Sequence, residues 1–556
     1  MNKAEREAQL LSRRRFLTLM ASAAGGTMAA TLLPRLPAWA QVGSPHLHAA
    51  AEITTLGQTL VAGAASALGY RPVVSGPGEP YTVRGELAAP KDGREGRRES
   101  LLSFTHLTDQ HIVDVQSTSR VEFLDRYNDG SDCGPMPFSA AYRPHEAASA
   151  RIADAMLRRM RKIGVSPVTG APITAAICTG DNVDNQQANE LDLMIRIMDG
   201  GPVTPDSGDP GRYEGIQASG DTNYWHPDPS VNDRYKSEFG FPSRPAFLQS
   251  ALAPFEAVGA GVPWFTAYGN HDGLAQGNAP VNPAFETIGT GRVKVVGLPP
   301  GANPCIRFDD LGAMPGSQVM QVTADPQRAY VRRRTWVERH LQSPGEPHGH
   351  GYSQTNAAEA TAYYAADVGP IRWLVLDTVN PGGEADGSIG DVQLGWLEDR
   401  LTEAQAQGRL VMLFSHHGLR SLENPVESPD PLDPTGSDLP RHKADEVSEL
   451  VARFSCVIAW VNGHSHSNVI VPRGTYWDIG TAAHIDWPPQ ARLIEVVDNG
   501  DGTLSIFGTM FDHDEDPLTG FARELCGNDP QKGFGAGTGG LEDRNVELVL
   551  NHPFSS

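Results

Sequence analysis

Five hydrophobic runs in this chain each end at a cluster of metal-seeking side chains, and that order limits the possible fold more than any other feature. LLSFTHL runs into Asp109-Gln110-His111, ITAAICT into Gly180-Asp181-Asn182, and VPWFTAY into Gly269-Asn270-His271-Asp272. Further on, LVMLFS leads to His416-His417, and CVIAWVN to Gly463-His464-Ser465-His466. Short apolar runs rich in β-branched and aromatic residues read as strands buried on both faces, the kind found in parallel sheets. Such sheets gather the C-terminal ends of their strands along one edge and bind ligands there. Five motifs on one edge make a patch of carboxylate, amide and imidazole, donors suited to divalent first-row metals.

Helical periodicity fills the gaps between these runs, over 145–163 (HEAASARIADAMLRRMRKI), 186–198, 392–401 and 442–453. Strands alternating with helices predict an α/β fold. Alternating runs at 468–480 and 491–510 predict an antiparallel sheet that completes the domain. The domain so defined covers 100–512, preceded by a Gly/Pro-punctuated N-terminal extension (41–99) and followed by a polar, Gly-rich tail (513–556). Two long insertions interrupt it, at about 200–245 and 275–360. The first carries Tyr213, Tyr224, Trp225, His226 and Tyr235, aromatics that argue for order. The second carries Arg332-Arg333-Arg334, which reads as a solvated helix face in preference to a substrate contact.

Residues 1–40 read as an address. Ser12-Arg13-Arg14-Arg15-Phe16-Leu17 matches the twin-arginine pattern, a mildly apolar stretch follows, and Ala38-Trp39-Ala40 offers a cleavage site. The expected partner is the twin-arginine export machinery and the expected location periplasmic or extracellular. The apolar stretch is too short and too rich in small residues for a stable membrane anchor. A net charge of −22 speaks against a nucleic-acid or anionic-membrane partner, since both require a basic face. Of the five cysteines, Cys178 and Cys456 fall in strand-like runs and read as buried thiols. Cys133, Cys305 and Cys526 lie in Gly/Pro-rich segments where export would permit a disulfide, with the pairing open.

The motifs also predict a chemistry. Residues i and i+2 of a strand share a face, which gives Asp109 and His111 a common metal; His464 and His466 stand at the same spacing and add two more donors. Asp181 can offer oxygens to two ions, Asn270 a carbonyl oxygen and His416 an imidazole, with His416 preferred to His417. This is too many donors for one four-coordinate zinc and suits two ions with open positions. Two ions bound close together stabilise both the attacking and the leaving oxygen in displacement at phosphorus. They also make hydroxide available near neutral pH. The expected substrate is therefore a small phosphate mono- or diester, attacked by a metal-bridging hydroxide. His271 is placed to act as general acid and Asp272 to orient it. Asp184, Asn185 and His417 read as supports behind the ligands, and His484 as either a substrate contact or a structural hydrogen bond. Zinc, manganese, iron and cobalt all suit such a donor set.

The series Asp-x-His, Gly-Asp, Gly-Asn-His-Asp, His and Gly-His-x-His resembles the calcineurin-like metallophosphoesterase superfamily over roughly residues 100–512. The resemblance implies a four-layer α/β/β/α sandwich with the dimetal site at the sheet edges. It implies one metal on Asp109, His111, Asp181 and His466, and another on Asp181, Asn270, His416 and His464. The leader and insertions make the chain similar to an exported bacterial subgroup of that superfamily. Purple acid phosphatases carry a tyrosine where Asp184 stands and a glycine where His111 stands, which argues against an iron–tyrosinate centre. Gly-Asn-His-Asp and Asp184-Asn185 look closer to the branch handling cyclic nucleotides and glycerophosphodiesters. Two rivals compete with this reading: a non-catalytic exported metal- or phosphate-binding protein on the same fold, and a serine hydrolase using Ser465. The second needs a glycine where Ser467 stands and a helix directly after the serine.

Overall fold

Seven strands form one mixed sheet. In chain order they are β1 (Thr82–Arg84), β2 (Glu99–Leu107), β3 (Ala175–Thr179), β4 (Trp264–Ala267), and three more after the second sheet has been laid down. That second, six-stranded sheet contains β5 (Tyr364–Val368), β6 (Ile371–Val375), β7 (Leu410–Phe414), β8 (Val457–Asn462), β9 (Val469–Arg473) and β10 (Tyr476–Gly480). The chain then returns to the first sheet with β11 (Gln490–Asp498), β12 (Thr503–Asp512) and β13 (Val546–Asn551). The spatial orders are β1-β13-β12-β11-β2-β3-β4 and β5-β6-β7-β8-β10-β9. Strands β2, β3 and β4 pair in parallel, as do β6, β7, β8 and β10. The computed structural model describes residues 45–127, 141–302, 316–429 and 438–555. The expected leader, Cys133 and Cys305 lie outside the described residues.

Alternation along the strands decides the layering. In β6 and β7, Trp373, Met412 and Phe414 join a core shared with the first sheet, while Leu374, Val411 and Leu413 join a second core. The shared core is locked by aromatic contacts: Phe104 lies 4.9 Å from Trp373 and 5.8 Å from Phe414, and Phe265 lies 5.1 Å from Trp373, between ring centroids. Those rings hold the sheets face to face. Helices α1 (Ser149–Ile163) and α2 (Ala188–Asp199) bring Met156, Met160, Met194 and Ile197 to the first sheet. Helices α3 (Asp391–Ala406) and α4 (Ala444–Val451) bring Leu397, Leu401, Val447 and Val451 to the second core. The result is the expected four-layer α/β/β/α sandwich, built because each inner strand carries apolar residues on both faces.

Two expectations change. The alternating runs 468–480 and 491–510 do not form one sheet: the first hairpin ends the six-stranded sheet and the second joins the seven-stranded one. The segment 513–556 is no loose tail, because β13 pairs with β12 and β1, and Val546, Leu548, Val549 and Leu550 are buried. Its VELVL run is short and sits after a Gly-rich stretch, so local pattern did not distinguish it from a polar terminus. Through β1, the N-terminal extension also enters the first sheet.

Both insertions are ordered where described. Tyr224, Trp225 and Tyr235 pack with Val113, Val115 and Tyr142 in a satellite core beside the first motif. From the second insertion, Lys294 donates to Glu122 at 2.8 Å and Arg328 to Asp114 at 2.9 Å, all four side chains being buried. The insertions thus brace the loop that follows Asp109-Gln110-His111. The arginine triplet is structural: Arg332 pairs with Glu286 and Arg333 with Asp377, and Arg334 donates to the Ala357 carbonyl. No helix among the described residues is long and apolar enough to cross a membrane.

Candidate metal centre

The first donor of each motif lies two or three residues beyond the C-terminal end of a parallel strand: Asp109 after β2, Asp181 after β3, Asn270 after β4, His416 after β7 and His464 after β8. The loops zip together there, with the N–H of Asp109 donating to the Gly180 carbonyl at 3.1 Å and that of His111 to the Asp181 carbonyl at 3.0 Å. Asp109, His111, Asp181, His464 and His466 all have φ between 44° and 64°, in the left-handed region. Non-glycine residues pay about 1–3 kcal/mol for such conformations and keep them where the surroundings over-determine them. This corrects the i, i+2 argument. Asp109 and His111 meet because consecutive turns re-aim them, and they share no strand face. The glycines serve the close approach: a Cβ on Gly463 would lie 2.0 Å from Thr108 Oγ1 and 2.5 Å from Asp109 Oδ2.

Seven side chains converge. In one group, His466 Nε2 lies 3.1 Å from Asp109 Oδ1 and 3.3 Å from His111 Nε2, and His111 Nε2 lies 3.6 Å from Asp181 Oδ2. In the other, His416 Nε2 lies 3.1 Å from the same Asp181 Oδ2, and His464 Nδ1 lies 3.3 Å from His416 Nε2 and 3.2 Å from Asn270 Oδ1. Asp181 Oδ2 is thus common to both groups. Asp109, Asp181, Asn270, His111 and His416 are buried, while the side chains of His464 and His466 remain 16% and 14% exposed and mark the opening.

The outer nitrogens fix the rings. His416 Nδ1 donates to the Thr179 carbonyl at 2.9 Å, and a carbonyl can only accept, so the proton sits on Nδ1 and Nε2 is turned inward. Asp184 accepts from His111 Nδ1 at 3.0 Å, and Asp486 from His466 Nδ1 at 2.5 Å. Burial pushes His416 down, but the charge of Asp181 outweighs it and lifts the imidazole to about 9. His466 is lifted to about 9 in the same way, against burial, by Asp109 and Asp486. Burial and the neighbouring His271 lower His111 to about 4. The buried carboxylates therefore demand positive charge at two places, supplied by protons on His416 and His466 or by two cations that displace them. Nitrogen and oxygen donors converging on these two places fit a pair of metal ions.

His271 stands beside this set with its ring centroid 4.5 Å from that of His111, and its Nδ1 donates to the Asp184 carbonyl at 2.5 Å. Nε2 is left as its working nitrogen. Asp272 does not orient it. Its two oxygens accept from the backbone N–H groups of Asn182 (3.0 Å), Val183 (3.0 Å) and Gly269 (2.8 Å), so it fastens the second motif to the third. The His271 support is a main-chain carbonyl, which no residue pattern advertises. His417 is tied to Thr378 Oγ1 and the Ala385 carbonyl, each at 2.8 Å, which leaves His416 facing Asp181. Asn185 accepts from the Gln276 N–H at 2.7 Å and is structural. His484 is buried; its main-chain N–H donates to the Asp109 carbonyl at 3.2 Å, while neither ring nitrogen has a hydrogen-bond partner among the described residues. Asp486, in the run HIDWPP after β10, was missed because only folding brings it behind His466. Cys178, Cys456 and Cys526 are buried free thiols.

Ser465 is exposed between the two histidines, and the chain continues into strand β9, without the helix a nucleophile elbow requires.

No family model matches the chain. A protein of Synechococcus sp. (strain WH7803) named "Probable cyclic nucleotide phosphodiesterase" is 26% identical over 151 residues, which is 24% of this chain and 53% of that protein. The match therefore spans about half the length of that relative. Among solved structures, a dimetal phosphatase from Danio rerio aligns at 12% identity and a TM-score of 0.36, covering 75% of this chain and 100% of that one. A purple acid phosphatase from yellow lupin (Lupinus luteus) seeds aligns at 11% identity and a TM-score of 0.28, covering 79% and 55%.

Proposed function

We propose that this chain is a dimetal phosphoester hydrolase, exported by the twin-arginine route and cleaved after Ala40. The observation that carries the catalytic reading is the shared Asp181 Oδ2, within reach of imidazoles from both groups, with His271 alongside. Asp109, His111, Asp181 and His466 would hold one ion, and Asp181, Asn270, His416 and His464 the other. When bound, two such ions supply Lewis acidity toward phosphoryl oxygens and an activated water. The protein's own part is positional and protonic. Asp181 fixes the spacing, the opening at His464 and His466 admits the ester, and the Asp184 carbonyl aims the His271 imidazole. A proton held at His271 Nε2 is available to the leaving oxygen.

A phosphodiester is the first substrate class to test, and a cyclic nucleotide the first compound, as the name of the Synechococcus relative indicates. The leader-free chain would be stripped, reloaded with zinc, manganese, iron or cobalt, and assayed on p-nitrophenyl phosphate, bis(p-nitrophenyl) phosphate and cyclic nucleotides. Metal-dependent turnover of any of these supports the proposal. Tight metal binding with no hydrolysis would favour the non-catalytic reading instead. Export is tested separately by Arg13→Lys with Arg14→Lys, which should leave uncleaved precursor in the cytoplasm; unchanged export would overturn that part.

A further inference from the structure

Behind the ligands, the two imidazoles of the first metal position share one buried frame. Asp184 accepts from His111 Nδ1 at 3.0 Å and is held in turn by Arg120, with Nη1 3.3 Å from Oδ2. Asp486 accepts from His466 Nδ1 at 2.5 Å and is held by Arg143, whose Nε donates to Oδ1 at 2.6 Å. The two arms meet at Glu146. Its Oε2 accepts from Arg120 Nη2 at 2.9 Å and from the backbone N–H of Arg143 at 3.1 Å. Asp184, Arg120, Glu146, Arg143 and Asp486 are all buried. A path of hydrogen bonds thus runs from His111 through Glu146 to His466, crossing Arg143 from its backbone N–H to its guanidinium, over five separate stretches of chain.

Among the described residues the second position has no counterpart. His416 rests on the neutral Thr179 carbonyl, and His464 Nε2 faces Asp386 at 3.7 Å, a carboxylate that is 41% exposed. A carboxylate behind a ligating imidazole raises its basicity and fixes its direction, and losing one costs about 10–100-fold in metal affinity. Buried, charge-assisted links also couple more strongly than exposed ones, because little water competes. From this asymmetry, and resting on the dimetal reading above, we propose that Glu146 is a positioning residue. It makes His111 and His466 act as one unit, so that the first position keeps its ion when the second has lost it.

The test uses the leader-free full chain, reloaded with zinc and titrated with a graded chelator while bound zinc per chain is counted. The wild type should release its two ions in two steps. Asp184→Asn and Asp486→Asn should each weaken the tighter step by about 10–100-fold, and the double variant should fall well short of the product of the two. Glu146→Gln keeps the shape and one acceptor oxygen. It should weaken only the tighter step, by about 10-fold, and in that background the two aspartate effects should multiply. Asp386→Asn should move only the looser step. Melting curves of the metal-free variants check folding, and the aspartate pair alone decides the coupling if Glu146→Gln fails to fold. Release of both ions in one step, simple multiplication in the wild-type background, or an equal shift of both steps by Glu146→Gln would overturn the proposal. A wild type that takes up none of zinc, manganese, iron or cobalt would overturn the dimetal reading itself, and the frame with it.

Discussion

The two sheets meet the candidate metal centre with different chemistry. The seven-stranded sheet brings every oxygen donor (Asp109, Asp181 and Asn270) and a single imidazole ligand, His111. The six-stranded sheet brings imidazoles alone: His416, His464 and His466. The oxygen donors are buried, whereas two of the three imidazoles from the second sheet line the opening. Neither sheet is a metal site by itself. Carboxylates need cationic or hydrogen-bonded partners when buried, and theirs come from across the sandwich: His416 to Asp181 and His466 to Asp109, both at 3.1 Å. The centre is therefore also a cross-link between layers that Phe104, Trp373 and Phe414 hold face to face.

The largest effect should come from the one atom both groups share. Asp181→Asn should release both ions and reduce hydrolysis by about 10⁴-fold or more, beyond the ~10²–10⁴-fold usual for a general acid. Two ions per chain with near-normal turnover would break the comparison at its centre. His271→Ala removes a side chain of the first sheet that lies outside both ligand groups. It should keep both metals, lose about 10²–10⁴-fold with alkoxide-like leaving groups, and lose much less with p-nitrophenolate. An equal loss across leaving groups, or loss of metal, would show that His271 belongs with the ligands.

Stability sharpens the cross-link idea. An ion at about 1,000 times its dissociation constant adds roughly 4 kcal/mol, so chelator should lower the melting temperature clearly. An unchanged melting curve on stripping would mean that packing alone joins the sheets. The smallest effect belongs to Asp272→Asn, which replaces an acceptor oxygen with an amide and leaves a buried N–H unmatched, for about 1–3 kcal/mol. That loss should appear as a lower melting temperature, with the leaving-group dependence unchanged. A change in that dependence would return Asp272 to the role of orienting His271.

Much of the site was legible because its ligands follow strand ends, where apolar runs stop abruptly at His, Asp and Asn. The α/β class was legible through strand and helix periodicities, which reflect which face is buried, whereas the four layers were implied only by the family resemblance. Of the supporting groups only Asp184 was read as one, and its carboxylate does accept from His111 Nδ1. Thr179, and Asp184 toward His271, act through carbonyls, and every residue has one. Glu146 looked like part of an ordinary amphipathic helix, yet it lies in a 3₁₀ turn before α1, and Arg143 stood out by no pattern at all. The strand Val546–Asn551 was hidden because short strands take their stability from neighbours distant in sequence.

The sequence by itself determined which donors are present, that they follow buried parallel strands, and that they suit two metal ions. Those are local properties, written in residue type and period. Tertiary structure decided which donors lie together, which histidine of the 416–417 pair faces Asp181, and what holds each ring. Those depend on left-handed turns at Asp109, His111, Asp181, His464 and His466, strained conformations that only the packing of two sheets can maintain.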